Sequence, residues 1–240
     1  MSTSQRFRQL NYAAANGAAA IKDVAPLHGL YPRAGMEYRF AFEPVGGVIK
    51  RAMDILISAL ALASLAPFFL VLAVLIKCDS SGPVFFRQRR AGYRGRVFRI
   101  YKFRTMTALE DGRNVAQATK DDVRVTRLGR TLRRLSIDEL PQLINVLKGE
   151  MSLVGPRPHA ILHEHEFRRF DLAYTRRRFA RPGITGLAQV SGARGVTDTD
   201  EKVARRIALD LVYIRNWSIW LDLLIMVRTL LMLLRDPTAF

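Results

Sequence analysis

The chain is 240 residues long and carries 38 Lys and Arg against 21 Asp and Glu, a formal net charge of +17 at pH 7. With 49% hydrophobic and 25% charged residues, it is too apolar for a disordered polymer and too charged for a bundle of several membrane spans. The basic excess points to an anionic partner, whether nucleic acid, acidic lipid or phosphorylated substrate, and the single cysteine, Cys78, rules out an internal disulfide and a Cys-based zinc site, which fits a reducing, cytosolic setting.

Residues 1–48 read as a loosely ordered arm, Ala-rich from Ala13 to Ala20 and without sustained apolar periodicity. A signal peptide is not expected there, because Arg6 and Arg8 are followed by Asn11, Asn16 and Gly17 where an apolar core should lie. The domain proper is read as residues 49–240. Between Ile55 and Ile76 there is no charge. One helix of that length, at about 1.5 Å per residue, reaches roughly 33 Å, enough to cross the hydrocarbon core of a bilayer. A membrane helix over residues 52–77 follows. Pro67, shortly after Ser64, removes a helical hydrogen bond and bends the axis. Both flanks are basic, with Lys50 and Arg51 before and Lys77, Arg87, Arg89, Arg90, Arg94, Arg96 and Arg99 after, so neither end qualifies as the outer one. A hairpin bent at Ser64 and Pro67, each half descending about 15–18 Å, satisfies that constraint. A single kinked span is the alternative.

Two β-rich runs, Val84 to Arg90 and Arg96 to Phe103, flank Gly92-Tyr93-Arg94-Gly95 and predict a hairpin with a basic surface. Helices are expected around Thr126 to Arg134, from near Ser136, across Ile161 to Arg178, and from about Glu201 to Leu234. A Gly/Pro-rich connector, residues 181–195, lies among them. In the last helix Asp222 and Arg228 interrupt an apolar series containing Trp217 and Trp220, which makes a crossing costly. It reads as an amphipathic helix in the membrane interface, or as a core helix of the soluble part.

The segment SIDELPQLINVLKGEMSLVGPRP, residues 136–158, holds the strongest chemical signal. Ser136 with Glu139 three residues later fits a capping box, which places Asp138 and Glu139 in a first helical turn where the dipole favours ionised carboxylates. Acidic first turns often do no more than cap. Here, however, Arg130, Arg133 and Arg134 precede the pair and Gly155-Pro156-Arg157-Pro158 follows it. Adjacent carboxylates among guanidinium groups suit Mg²⁺ and a phosphate together, the acids holding metal or attacking phosphorus while the arginines neutralise oxygens.

In chain order stand KRAMDIL (50–56), GPVFFRQRRAG (82–92), YKFRTM (101–106), RRLSIDELPQLINVLKGEMSLVGPRP (133–158) and RPGITGLAQVSG (181–192). This ordered set resembles the bacterial sugar transferase family, the monotopic phosphoglycosyl transferases that place a sugar 1-phosphate on undecaprenyl phosphate. The likeness covers about residues 48–236 and leaves out the arm. Longer family members carry additional N-terminal membrane helices, so the chain is expected to be the minimal catalytic form. The fold implied is α+β: a mostly helical monotopic membrane domain with a re-entrant helix hairpin, a small β-hairpin and interfacial amphipathic helices.

The resemblance also implies a mechanism and its residues. Asp138 matches the nucleophile that attacks the β-phosphorus of a UDP-sugar, expels UMP and carries an aspartyl phosphosugar. Glu139 matches the partner acid that helps Asp138 hold Mg²⁺. Arg133 and Arg157 match phosphate-binding arginines, Lys102 is a further candidate for that work, and Asp210 matches an acid on the substrate side. The product would be undecaprenyl diphosphate sugar, the first membrane intermediate of exopolysaccharide or another surface glycan. The site would lie on the cytoplasmic face of the bacterial inner membrane, beside anionic lipid. A hexose, galactose or glucose, is the expected sugar.

Other features read more simply. His159 and His163 are four apart, but His163-Glu164-His165 lacks the HExxH spacing, and a polar helix surface is the expectation. Arg87 to Arg90 and Arg176 to Arg178 come without a nucleic-acid-binding signature, so membrane-surface and phosphate contacts explain them and no nucleic acid is expected. Cys78 reads as a passive interfacial thiol, and Gly183 and Gly186 as turn glycines near the substrate. Nothing in the sequence assigns an oligomeric state. A rival class is a non-enzymatic, membrane-anchored protein whose basic face holds anionic polymer or nucleic acid.

Overall fold

The computed structural model describes residues 43–107, 122–161, 173–193 and 199–235. Most of the N-terminal arm, His163 and His165 lie outside them. Helix α1, Gly47–Asp79, is 33 residues long and passes through Pro67 without a loop. It opens at Gly46, whose φ of 85° belongs to the left-handed region and whose missing side chain leaves room for Lys50 and Trp217. Immediately before it, Val45 is buried in the core and its N–H donates to Phe179 O (3.1 Å).

Strands β1 (Phe85–Ala91) and β2 (Val97–Phe103) pair antiparallel from Phe85 opposite Phe103 to Ala91 opposite Val97. The connection between them is a tight turn in which Arg94 (φ 56°) and Gly95 (φ 75°) both take left-handed conformations. The expected hairpin is therefore present. Helix α2 (Arg127–Arg134) starts at Thr126, whose Oγ1 accepts from Gly129 N at 2.9 Å. A single 3₁₀ turn, Ile137–Glu139, leads into α3 (Gln142–Lys148) and then β3 (Ser152–Val154). After α4 (Ala173–Arg176), strand β4 (Gly183–Thr185) pairs parallel with β3 and runs into the short helix α5 (Leu187–Val190).

The connector predicted over 181–195 thus contains a strand and a helical turn. Its glycines serve close approach: a side chain on Gly183 or Gly186 would meet the backbone of Gly155, so they pack strand against strand. The chain from Glu201 to Leu234 is two helices, α6 (Asp200–Arg215) and α7 (Ile219–Arg235), separated at Asn216 to Ser218. The architecture is α+β and mostly helical, with two small two-stranded sheets. Of the helix expected across Ile161 to Arg178, residues 173–178 are helical and 162–172 lie outside the described residues.

Two apolar clusters form the body. The larger packs Val146, Met151, Val154, Leu211, Ile214 and Ile225. The smaller joins Leu72 and Ile76 of α1 to Phe103 and Leu132, with Phe69 edge-on to Phe103 and Phe85 stacked on it. Residues on both sides of Pro67 therefore pack against one body. On the N-terminal side Lys50, Asp54 and Ser58 are buried, and Arg51 donates to the α3 carbonyls of Val146 and Leu147. On the C-terminal side Arg104 donates to the carbonyls of Ile76 and Ser80. In between, Leu56, Leu60, Leu70, Val71 and Val74 are exposed, an apolar surface that no described residue covers. By length and composition α1 is the one described helix able to cross a membrane.

Buried charge joins α1 to α7. Lys50 is ion-paired with Asp222, both almost fully buried. Asp222 also accepts from Tyr213 Oη (2.8 Å) and Trp217 Nε1 (3.0 Å). Asp222 therefore faces the core, as do Leu221 and Ile225, while Trp220, Val227, Leu230, Leu231 and Leu234 face outward. Helix α7 joins both readings: core on one side, bare apolar surface on the other. Trp217 belongs to the Asp222 cluster and Trp220 alone of the two is strongly exposed.

Removing the cation should leave the buried Asp222 carboxyl without its ion-pair partner. Lys50→Met is expected to cost about 3–5 kcal/mol, with part of it recovered in the Lys50→Met, Asp222→Asn double variant, measured by denaturant unfolding in detergent. A single variant as stable as its parent would show that the pair does not fasten the two helices.

Candidate active site

Asp138 and Glu139 are delivered by the turn between α2 and α3. Ser136 takes a left-handed conformation (φ 56°), costly for a residue with a side chain. Its N–H donates to Arg133 O (2.9 Å) and its carbonyl accepts from Glu139 N (3.2 Å). The capping box is not formed: the Ser136 side chain makes no capping bond, because the left-handed backbone replaces the extended cap conformation such a bond requires. The acids occupy a separate 3₁₀ turn ahead of α3, with Ile137 packed against the smaller apolar cluster.

Cations converge on this turn from two other elements. From β2, Lys102 Nζ reaches Glu139 Oε1 at 2.8 Å and Asp138 Oδ2 at 3.7 Å. From the loop after β3, Arg157 grips Glu139 with a two-pronged contact, Nη1 to Oε2 at 3.0 Å and Nη2 to Oε1. That planar fork is the strong, directional form of a charge-assisted hydrogen bond. Its aim comes from the backbone: Pro156 and Pro158 hold φ on either side of Arg157, Gly155 N donates to Thr185 O (2.8 Å), and Gly183 N donates to Pro156 O (3.0 Å). Asn145 of α3 fixes β2 by accepting from Tyr101 N (3.0 Å) and donating to Arg99 O (2.7 Å). Lys102 and the acidic turn are thereby held in one frame.

The neighbours differ in electrostatics. Burial raises Asp138 above the usual carboxylate value, with Lys102 opposing the rise and Glu139 adding to it. Burial also pushes on Glu139, but Arg157 and Lys102 outweigh it and hold that carboxyl well below its usual value. Arg133, in the last turn of α2, adds a favourable field at Asp138. Glu139 is thus a fixed anion matched to two cations, and Asp138 is the more basic carboxylate beside it. Such a pair of environments separates one anchoring acid from one acid available to react.

Asp210 stands behind this layer. It is buried on α6 and accepts from Arg177 Nε at 2.7 Å. Arg177 Nη2 in turn donates to Arg157 O at 2.8 Å. Asp210 is therefore linked to Glu139 through Arg177 and Arg157. Arg177 was expected at the membrane surface, yet it is buried. Asp210 among the apolar residues of α6 was the available signal, since a buried carboxylate requires a cation. His159 is half-buried, its Nδ1 2.8 Å from Tyr174 Oη and its ring stacked on that tyrosine, and desolvation, then Arg177 and Arg206, lower its pKa well below the usual histidine value.

The sequence profile described as bacterial sugar transferase matches residues 45–236, which takes in every element just described. The chain belongs to the bacterial sugar transferase family. It is 53% identical over 182 residues to a UDP-glucose:undecaprenyl-phosphate glucose-1-phosphate transferase of Klebsiella pneumoniae, covering 76% of this chain and 39% of that protein. A protein of the same description from Caulobacter vibrioides is 53% identical over 191 residues, covering 80% of this chain and 72% of its own length. A UDP-N-acetylgalactosamine-undecaprenyl-phosphate N-acetylgalactosaminephosphotransferase of Aeromonas hydrophila is 46% identical over 187 residues, covering 78% and 44%. Against the Klebsiella and Aeromonas relatives the chain therefore spans less than half the partner's length.

For this bacterial sugar transferase, Mg²⁺ fits the donors in kind, since carboxylates and substrate phosphate oxygens are its preferred ligands. Among the described residues no group of three or more acidic, His or Cys side chains encloses a metal by itself. Both oxygens of Glu139 already face Arg157 and Lys102, so Asp138 has the greater capacity left and Glu139 would join by yielding one of its cations.

The charge arrangement makes a direct prediction. In carboxyl ¹³C NMR, Asp138 should protonate above the ordinary aspartate range as pH falls, and Glu139 should stay ionised to well below the ordinary glutamate range. Arg157→Gln should move the Glu139 midpoint upward. Coincident, ordinary midpoints for both acids would contradict this arrangement.

Proposed function

We propose that the chain transfers a hexose 1-phosphate, glucose 1-phosphate in the first instance, from a UDP-sugar to undecaprenyl phosphate, releasing UMP. The observation that carries this reading is the unequal acidic pair: Asp138 buried and basic, beside a Glu139 locked to Arg157 and Lys102. The descriptions of the Klebsiella and Caulobacter relatives support the acceptor and favour glucose, and a Rhizobium leguminosarum relative described as an exopolysaccharide production protein supports the pathway.

An oxygen of the Asp138 carboxylate bonds to the β-phosphorus of the donor, and the bond from that phosphorus to the UMP oxygen breaks, its electron pair leaving with UMP. Arg157, Lys102 and Arg133 are the cations closest to the charge redistributed in that step, and their frame is set before substrate arrives. In the second half, a phosphate oxygen of the lipid bonds to the same phosphorus and the bond to Asp138 breaks, restoring the carboxylate. Asp210 acts on the substrate side through Arg177, steadying Arg157. Mg²⁺, when bound by Asp138 and Glu139 with substrate oxygens, offsets negative charge on the diphosphate.

We place the site at the cytoplasmic face of the bacterial inner membrane, with α1 re-entrant and bent at Ser64 and Pro67. Packing supports this: Lys50 and Ile76, about 39 Å apart on a straight helix, would sit on opposite sides of the bilayer in a crossing helix, yet both are buried against one basic body. The same surface would draw anionic lipid at about 1 kcal/mol per well-placed Lys or Arg.

The test is UMP release from UDP-glucose with Mg²⁺ and undecaprenyl phosphate. Wild-type protein should turn over, and Asp138→Asn should lose at least about 10³-fold. A non-enzymatic anionic-polymer binder would release no UMP, and full activity in Asp138→Asn would remove the nucleophile assignment.

A further inference from the structure

A cavity of about 200 Å³ opens beside the acidic turn. Glu139 and Arg157 contribute to its wall, together with Val190 of α5 and Thr229, Met232 and Leu233 of α7. The hydroxyls of Thr185 and Thr229, which both line it, meet at 2.7 Å and tie β4 to α7. One helix thus supplies lining residues to the cavity and, through Trp220, Val227, Leu230, Leu231 and Leu234, a bare apolar face on the outside of the body. A helix with that face belongs in the headgroup and acyl boundary. The cavity therefore lies between the acidic turn and the helix that carries this apolar face.

We propose that this cavity is the acceptor subsite, taking the phosphate and first isoprene units of the polyprenyl phosphate while the rest of the chain stays in the membrane. The assignment rests on the transferase reading above. Three observations select this occupant. The lining sets the aliphatic side chains of Leu140, Ile184, Val190 and Leu233 beside a polar end that holds Arg157, paired with Glu139, which matches an anionic head on a hydrocarbon tail once the phosphate takes the guanidinium from Glu139. The volume is below the roughly 300–1,000 Å³ of sites that enclose a whole small ligand, so it suits the end of a long molecule. A nucleotide sugar exceeds that volume, and part of its polar surface would lie against Val190, Met232 and Leu233. Arg157 also lines a second, much smaller hollow of about 30 Å³ with Gly92, His159, Tyr174 and Arg178.

Filling the cavity should separate the two half-reactions. In Met232→Trp and Leu233→Trp, the burst of UMP formed without acceptor should match wild type, while KM for undecaprenyl phosphate rises at least tenfold. A lost burst with unchanged acceptor KM would assign the cavity to the donor and overturn the proposal, as would tryptophan variants indistinguishable from wild type. Photolabelling of the Asp138→Asn protein with a diazirine-bearing polyprenyl phosphate tests the site independently of turnover and of how the tryptophan variants fold. Label in residues 187–190 and 229–233, competed by undecaprenyl phosphate and not by phosphatidylglycerol, supports it, and label confined to α1 overturns it. Absence of any burst in wild type would instead defeat the aspartyl mechanism, with the photolabel still deciding the subsite.

Discussion

Two carboxylates on consecutive residues, both withdrawn from water, repel each other and resist ionisation; the active turn exists because cations from elsewhere in the fold offset that cost. Arg157 and Lys102 do so unequally. They converge on Glu139 and leave Asp138 with a more distant ion pair. The inequality turns a symmetric acidic pair into an anchor and a more basic neighbour. It also explains why so much of the small sheet structure is devoted to placement. β2 presents Lys102, the β3–β4 pair aims Arg157, and Asn145 fastens β2 to the helix that follows the turn.

A second group of buried charges does comparable work at the membrane side. Lys50 and Asp222 join the start of α1 to α7, and Tyr213 and Trp217 complete the hydrogen bonding of the carboxylate. Asp54 adds a tie to β3 by accepting from Ser152 Oγ and Leu153 N, both at 3.0 Å. Because these groups face inward, the charges that break the hydropathy of both helices are spent on packing them together. The outward faces are left apolar, so the two helices that carry them are locked to the body that holds the acidic turn. The proposed transfer, from a water-soluble donor to a membrane-bound acceptor, needs that fixed relation.

Much of this was legible from residue order. The apolar run with basic flanks, the β-hairpin around Gly92 to Gly95, and the crowding of arginines around Asp138 and Glu139 all follow from local pattern, and in the structure Lys102, Arg133 and Arg157 lie near the acids. What escaped was long-range. Ser136 satisfies a capping-box spacing, but the turn from α2 forces its backbone into the left-handed region. Gly183 and Gly186 look like turn residues, and only the partner strand at Gly155 shows them to be contact points between backbones. Asp222 reads only as an interruption of an apolar helix until Lys50, far away in sequence, is found against it. Arg177 is hidden in a run of three arginines, where position alone does not say which one Asp210 selects.

The decisive measurement is to incubate the folded, Mg²⁺-supplied protein with UDP-glucose labelled in the sugar phosphate, without acceptor, then quench with acid and map the label by peptide mass spectrometry. One sugar phosphate per chain, carried on Asp138 and discharged when undecaprenyl phosphate is added, is the expected result. Protein that turns over donor in the presence of acceptor yet never carries label on Asp138 would contradict the central role assigned to that carboxylate.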